Sequence, residues 1–387
     1  RHLPRHLVKY MVGNNTTQGL QVMPSTSDSP RSITASKTLS VAAVAAVAGT
    51  SISGTFAEGS AITISGSGFG SKAVAGPKKY SDFNDGTEDQ LLDNFDSDWV
   101  SYDGGVVGAR MTRKDAYSGN GCVHAKHGDT HAADSDHGGS SGHEFDTNYF
   151  IFASETGKPV RVVYKHKIVN DPADDNYGVR KYGRIGSFGS GGGGGVYNGA
   201  FTARFANNQL DFYDSGGTKH SYDNSGGYLN NPSGYEQVWI TIVHTYGPNS
   251  ADGVADGIHS LEIIHPSWGY YKAEDPSAEP LLSGATMYSN SFLLGLMVAN
   301  SDYNGHSAWH TVYEDNVYID NDLALVVVTD APTIEASKFY EVQVCSGWVD
   351  EQITIPSCSA GRLSAGTNYI HIINTNGVLV DTTEVTL

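Results

Sequence analysis

Apolar residues in this chain gather in short runs in which they alternate with polar ones, a spacing that belongs to strands rather than helices. In Ala61, Ile62, Thr63, Ile64 and Ser65 every second side chain is apolar, which predicts a strand with one face buried and one face wet. Gly66, Gly68 and Gly70 follow around Phe69, so the spacing predicts a tight turn with Phe69 plugging the core. The same texture returns late in the chain as ALVVVTDAP, YEVQVCSGWVDEQITIP and AGTNYIHIINTNGVLVD. Between these flanks lie HEFDTNYFIFAS, RVVYKHKIV, FTARFANNQLDFYD, QVWITIVHTYG, GIHSLEIIHPSW, SFLLGLMVAN and HTVYEDNVYID, more strands joined by polar loops. The long helical runs of a βαβ fold are missing. The expectation is an all-β chain whose middle is a jelly roll.

The first residues read differently. Up to about residue 32 the chain carries Arg1, Arg5 and Lys9 and then polar, loop-like stretches that cannot repay their own ordering. Val41, Val44 and Val47 then recur at helical spacing in an alanine-rich run, read as a packing or assembly segment, either a short helix or strands.

Composition narrows the function. Only 17% of the residues are charged, while Gly and Tyr are frequent, the texture of an extracellular β protein. With 24 Lys and Arg against 42 Asp and Glu the formal charge is -18, which opposes nucleic acid and anionic membranes as partners. No apolar stretch is long enough to span a membrane, and the opening RHLPRHLVKYMVG has too short an apolar run for a signal peptide. A processed chain and a virion protein both fit. Of three cysteines, Cys345 and Cys358 flank a strand pair and form either one disulfide or two separately buried thiols. Cys122 is left over as a small buried hydrophobe.

Two family resemblances organise these pieces. SGTFAEGSAITISGSGFGSK resembles the opening of an IPT/TIG domain, an immunoglobulin-like sandwich, and SGWVDEQITIPSC and SAGTNYIHIINTNGVLV resemble its remainder. The resemblance implies a split sandwich with another domain inserted, which loop-closure entropy permits at low cost. WITIVHTYGPNSADGVADGIHSLEII resembles a concanavalin-like or laminin-G-like jelly roll. The expected organisation is an N-terminal arm over 1–49, a first immunoglobulin-like part over 50–76, an inserted jelly roll over 77–322 and a second immunoglobulin-like part over 323–387.

Several residue sets carry candidate chemistry. His124, His127, His131, His137 and His143 stand among Asp129, Asp134, Asp136 and Glu144, ligand types for a borderline metal but in loose, loop-like spacing. A structural Ca²⁺ would draw on Asp171, Asp174 and Asp175, or on Asp252 and Asp256, which otherwise serve as turn residues. For a lyase acting on an acidic sugar, strand alternation puts Tyr164 and His166 on one face and Lys165 on the other, and predicts Arg180, Tyr182 and Arg184 on a shared face. Tyr164, His166 and Arg184 are the set for that chemistry. Trp268, Tyr270 and Tyr271, with Trp309, form a candidate sugar platform, the other reading being core aromatics. The glycine run after Arg184 lacks a phosphate-loop lysine, and Asn14 and Asn15 sit in overlapping glycosylation sequons.

The expectation that gathers these features is a structural surface protein of a virion or extracellular assembly. It would contact copies of itself or other assembly proteins through residues 1–49, touch a glycan through the jelly roll, and need no cofactor. The alternatives are a secreted polysaccharide lyase or glycoside hydrolase and a monomeric carbohydrate-binding adhesin.

Overall fold

The structure, a computed structural model, describes residues 49–101, 109–127, 143–151, 158–170, 180–186, 201–204, 209–213, 219–223, 238–247, 258–274, 291–299 and 310–387. The arm, the alanine-rich segment and the sequons lie outside them. Every ladder among the described strands is antiparallel, and together they build four sheets.

Two four-stranded sheets face each other. One runs β1 (Ser51–Ser53), β2 (Ile62–Ser65), β21 (Gln352–Ile355) and β20 (Gly347–Val349). The other runs β19 (Tyr340–Gln343), β18 (Leu325–Thr329), β22 (Thr367–Ile373) and β23 (Leu379–Thr386). Ile64 of β2 pairs with Ile353 of β21, so the two ends of the chain close one small sandwich. Its core holds Ile62, Ile64, Phe69, Val326, Val328, Trp348, Ile353 and Ile370. Phe69 is fully buried and its carbonyl accepts a hydrogen bond from the Trp348 indole at 3.3 Å. Gly66 lies so close beneath the Phe69 ring that a Cβ would approach it to 2.6 Å, and Gly70 adopts φ +73°, which explains two of the three turn glycines. Cys345 and Cys358 are free thiols in this same core rather than a disulfide, and burial pushes both above the usual thiol range.

The larger sheets carry the middle of the chain. An eight-stranded sheet runs β15 (Gly269–Glu274), β14 (Ile258–His265), β13 (Ile240–Gly247), β8 (Val160–Asn170), β17 (His310–Asp320), β6 (Cys122–His127) and β5 (Arg110–Thr112). Its eighth strand, β3 (Lys79–Ser81), pairs with the far end of β17. A seven-stranded sheet runs β12 (Lys219–Asp223), β11 (Gln209–Tyr213), β10 (Phe201–Arg204), β9 (Arg180–Gly186), β16 (Ser291–Ala299), β7 (His143–Ile151) and β4 (Trp99–Ser101). Strand β16 lies against β17 and β6 of the other sheet, and a short helix, α1 (Leu92–Phe95), precedes β4.

Strand β18 explains the layering. Its LVVVT run is buried at every position. Val326 and Val328 enter the small-sandwich core, while Leu325 and Val327 pack on Val163, Val243 and Ile264 of the eight-stranded sheet. A continuous apolar run is what a strand covered on both faces requires. An ion pair and a hydrogen bond reinforce the junction: Lys72 bridges Asp320 at 2.5 Å, and the Arg161 guanidinium donates to the Leu323 carbonyl.

Candidate functional site

Strand β8 separates its neighbours as alternation dictates. Lys165 faces the small sandwich, where its Nζ donates to the Tyr340 carbonyl at 2.6 Å and Thr241 Oγ1 at 3.0 Å and pairs with Glu341 at 3.1 Å. Its ammonium also lies 4.4 Å over the Tyr117 ring, and Arg362 sits 4.6 Å over the same ring. The Tyr117 hydroxyl donates to Glu341, and Asp315 accepts the amides of Tyr117, Ser118 and Asn316. Burial pushes Lys165 below the usual ammonium range, with Glu341 opposing. This network was not visible in the sequence, which showed Lys165 only as the residue opposite Tyr164.

Tyr164 and His166 lie on the other face of β8, turned away from the small sandwich, and both are fully buried. His166 Nδ1 stands 3.5 Å from Glu314 of β17, and the Tyr164 hydroxyl stands 3.5 Å from His244 Nε2 of β13. Burial pushes His244 down to about 3, so it is neutral. This is a buried polar cluster. Arg184 belongs to β9 of the other large sheet.

The seven-stranded sheet presents a different set. One direct cross-strand row runs Trp99, Phe150, Phe292, Ile185, Phe201, Phe212 and His220. Trp99 and Phe150 are buried and stack obliquely at 5.9 Å, so this row marks the inward face. The next row runs Val100, Tyr149, Leu293, Arg184, Thr202, Asp211 and Ser221. Val100, at one end of this row, is exposed.

A bulge in β9 corrects the expected Arg180, Tyr182 and Arg184 trio. Arg184 pairs with Thr202 and Tyr182 with Ala203, so two steps on β9 match one step on β10. The extra residue reverses the alternation.

The remaining expected sites come apart. Trp268, at a hairpin tip, is about one-third exposed and stacks on His265 at 4.2 Å. Tyr270 turns toward the small sandwich and donates to Glu262 at 3.1 Å, while Tyr271, the next residue on the strand, takes the opposite face. The three do not form a common platform, and Trp309 lies outside the described residues. Trp239 is buried against Tyr117. His124 and His127 belong to β6 and His143 begins β7, so the histidine cluster is not one loop; His124 is buried, stacked on Tyr313 and 3.8 Å from Asp89. Asp171, Asp174, Asp175, Asp252 and Asp256 lie outside the described residues, as does the glycine run. Among the described residues no three His, Cys, Asp or Glu side chains gather to hold a metal.

No family model matches the chain, and no curated protein matches it. Solved structures do. An alginate lyase of family PL-14 from Aplysia kurodai is 12% identical, with a TM-score of 0.39 over 61% of this chain and 98% of its own. An alginate lyase from a Chlorella virus is 11% identical, with a TM-score of 0.35 over 55% of this chain and 88% of its own. The binding domain of botulinum neurotoxin DC, solved in complex with SialylT, is 9% identical, with a TM-score of 0.32 over 56% of this chain and 41% of its own. The likeness is one of all-β sandwich fold. These neighbours are named as alginate lyases and toxin binding domains and none of them as a decoration, fibre or filament protein, against the expectation of a virion or extracellular structural subunit.

Proposed function

We propose that the chain is a secreted polysaccharide lyase acting on an acidic polysaccharide. The observation that supports this is the residue content of one half of the seven-stranded sheet: β9 to β12 carry Arg180, Lys181, Arg184, Arg204 and Lys219 against Asp211 and Asp223, in a chain whose formal charge is -18. Lysines and arginines gathered on neighbouring strands of an acidic protein would hold a polyanion. The sheet is seven strands wide, about 29 Å at about 4.8 Å per strand.

In this reading Arg184 is the residue proposed to neutralise the uronate carboxylate, which acidifies the proton on the carbon beside it, and a general base takes that proton. The C–H electron pair becomes the new C=C bond, and the glycosidic C–O bond breaks as the leaving oxygen gains a proton. We further read the small sandwich as immunoglobulin-like and interrupted by a concanavalin-like jelly roll, because β2 pairs with β21 across the intervening chain.

The test is incubation with alginate, polygalacturonate and hyaluronate, following ultraviolet absorbance of the unsaturated product. Arg184→Ala is expected to cut the rate at least 100-fold on the substrate that is cleaved. Binding of a polyuronate with no absorbance change would make the protein an adhesin. Neither binding nor cleavage would sink both.

A further inference from the structure

Lys167 of β8, Tyr313 of β17, His124 of β6 and Arg110 of β5 are successive cross-strand partners in one row of the eight-stranded sheet. Trp239 extends the row by a strand, since Ile240 pairs with His166 and the residue before it falls opposite Lys167. Lys167 lies two residues from Lys165, so the row belongs to the face that also carries the small sandwich. Along it Arg110, Tyr313 and Lys167 are half-buried, while His124 and Trp239 are buried.

Both permanent cations of the row already have acceptors. Lys167 meets Asp115 at 2.5 Å, and Arg110 donates to the Asp89 carbonyl at 2.9 Å. The Asp89 carboxylate in turn stands 3.8 Å from His124. A phosphate or sulfate would have to displace these acceptors. A hydroxyl would not, because it both donates and accepts and so can bond to a carboxylate and its cation together. Aromatic rings supply an apolar surface beside them: Tyr313 and His124 lie 18° from parallel with centroids 6.1 Å apart, and the Lys167 ammonium is 5.9 Å from the Tyr313 ring. Burial, with Asp115 adding to it, holds the Tyr313 phenol above its usual range, so it keeps its proton and can donate. The Trp239 indole N–H is buried and, among the described residues, finds no acceptor. A buried donor without a partner is costly to the fold, and an oxygen of a ligand removes that cost.

We infer that this row is a sugar-binding site, separate from the strand of Arg184, which takes a pyranose unit by ring contact with Tyr313 and by hydroxyl bonds to Lys167, Asp115 and the Trp239 indole. Because its cations are paired, the site recognises hydroxyl groups rather than charge. The unit it holds comes either from a neutral glycan or from an acidic polymer. The inference does not depend on cleavage.

The experiment is calorimetric titration of the full chain with cellohexaose, mannohexaose and hexagalacturonate, at low and at high salt. At least one probe is expected to bind the wild type with an affinity that changes less than about twofold with salt, since screening acts on unpaired charge. Tyr313→Ala should weaken that binding about tenfold and Lys167→Met about fivefold, as truncation of central contact residues does. Where Tyr313→Ala does not fold, Lys167→Met decides. Binding of none of the three, a steep loss of affinity with salt, or full affinity in Lys167→Met would overturn the inference. Binding of a neutral probe assigns the site to a neutral glycan, and binding of hexagalacturonate alone assigns it to the acidic polymer. The two readings fail separately. Cleavage of hexagalacturonate with normal binding in both variants sinks this site alone, and Tyr313-dependent binding without cleavage sinks the lyase reading alone.

Discussion

His244 and Asp315 are buried groups with opposite effects on acid stability. Burial holds His244 down at about 3, so the unfolded chain takes up its proton first as pH falls below about 6.5. Stability from this residue is complete above that pH and is lost toward pH 3 at about 1.4 kcal/mol per unit. Asp315 runs the other way. Burial raises its carboxyl to about 7, although three backbone amides oppose the shift, so the native state holds its proton between about 4 and 7. Its contribution therefore falls as pH rises through that window. The two slopes offset each other from about pH 6.5 to 4, and His244 acts alone below. His244→Phe is expected to turn that level region into one where stability rises as pH falls, read from urea midpoints across pH. Parallel curves for variant and wild type would show that His244 does not set the acid limb.

At the scale of elements, β2 and β21 act as one unit although most of the chain lies between them. Ile64 and Ile353 are each fully buried and directly paired. Either residue changed to Ala should cost about 2–5 kcal/mol, the range for a large-to-small change in a packed core. Neighbours that share a core do not add, so the double variant should cost less than the sum of the two singles by about 0.5–3 kcal/mol. Simple additivity in denaturant melts would mean the two strands do not share that core. The bulge in β9 belongs to the same scale: one inserted residue exchanges which side chains a strand presents, without altering its apolar content.

Across the whole molecule, the junction between the sandwiches rests on buried charge as well as apolar packing. Lys165 and Glu341 are both nearly inaccessible, at 3% and 2% side-chain exposure. Removing one partner leaves the other charge buried without its counter-ion, which costs about 3–5 kcal/mol. Glu341→Gln is therefore expected to destabilise the full chain by that amount, and adding Lys165→Met should restore most of it, since neither charge of the pair then remains. Calorimetry of both variants checks this. If Glu341→Gln changes nothing, the ion pair does not support the junction. The small sandwich is thus fixed to the eight-stranded sheet on the face opposite Tyr164 and His166.

Local pattern alone determined much of this protein. Alternation identified the strands of an all-β chain, placed Phe69 under its glycine turn and separated Lys165 from Tyr164 and His166, because a strand's period of two is a property of its own backbone. It could not say what lies against each face. Tyr164 and His166 read as a surface pair and are core, since burial depends on a second sheet contributed by distant sequence. Trp268, Tyr270 and Tyr271 read as one cluster and diverge, since adjacent residues on a strand point apart and the turn takes the first of them. The register of β9 against β10 was decided only by tertiary structure, because a bulge arises from how neighbouring strands are held together.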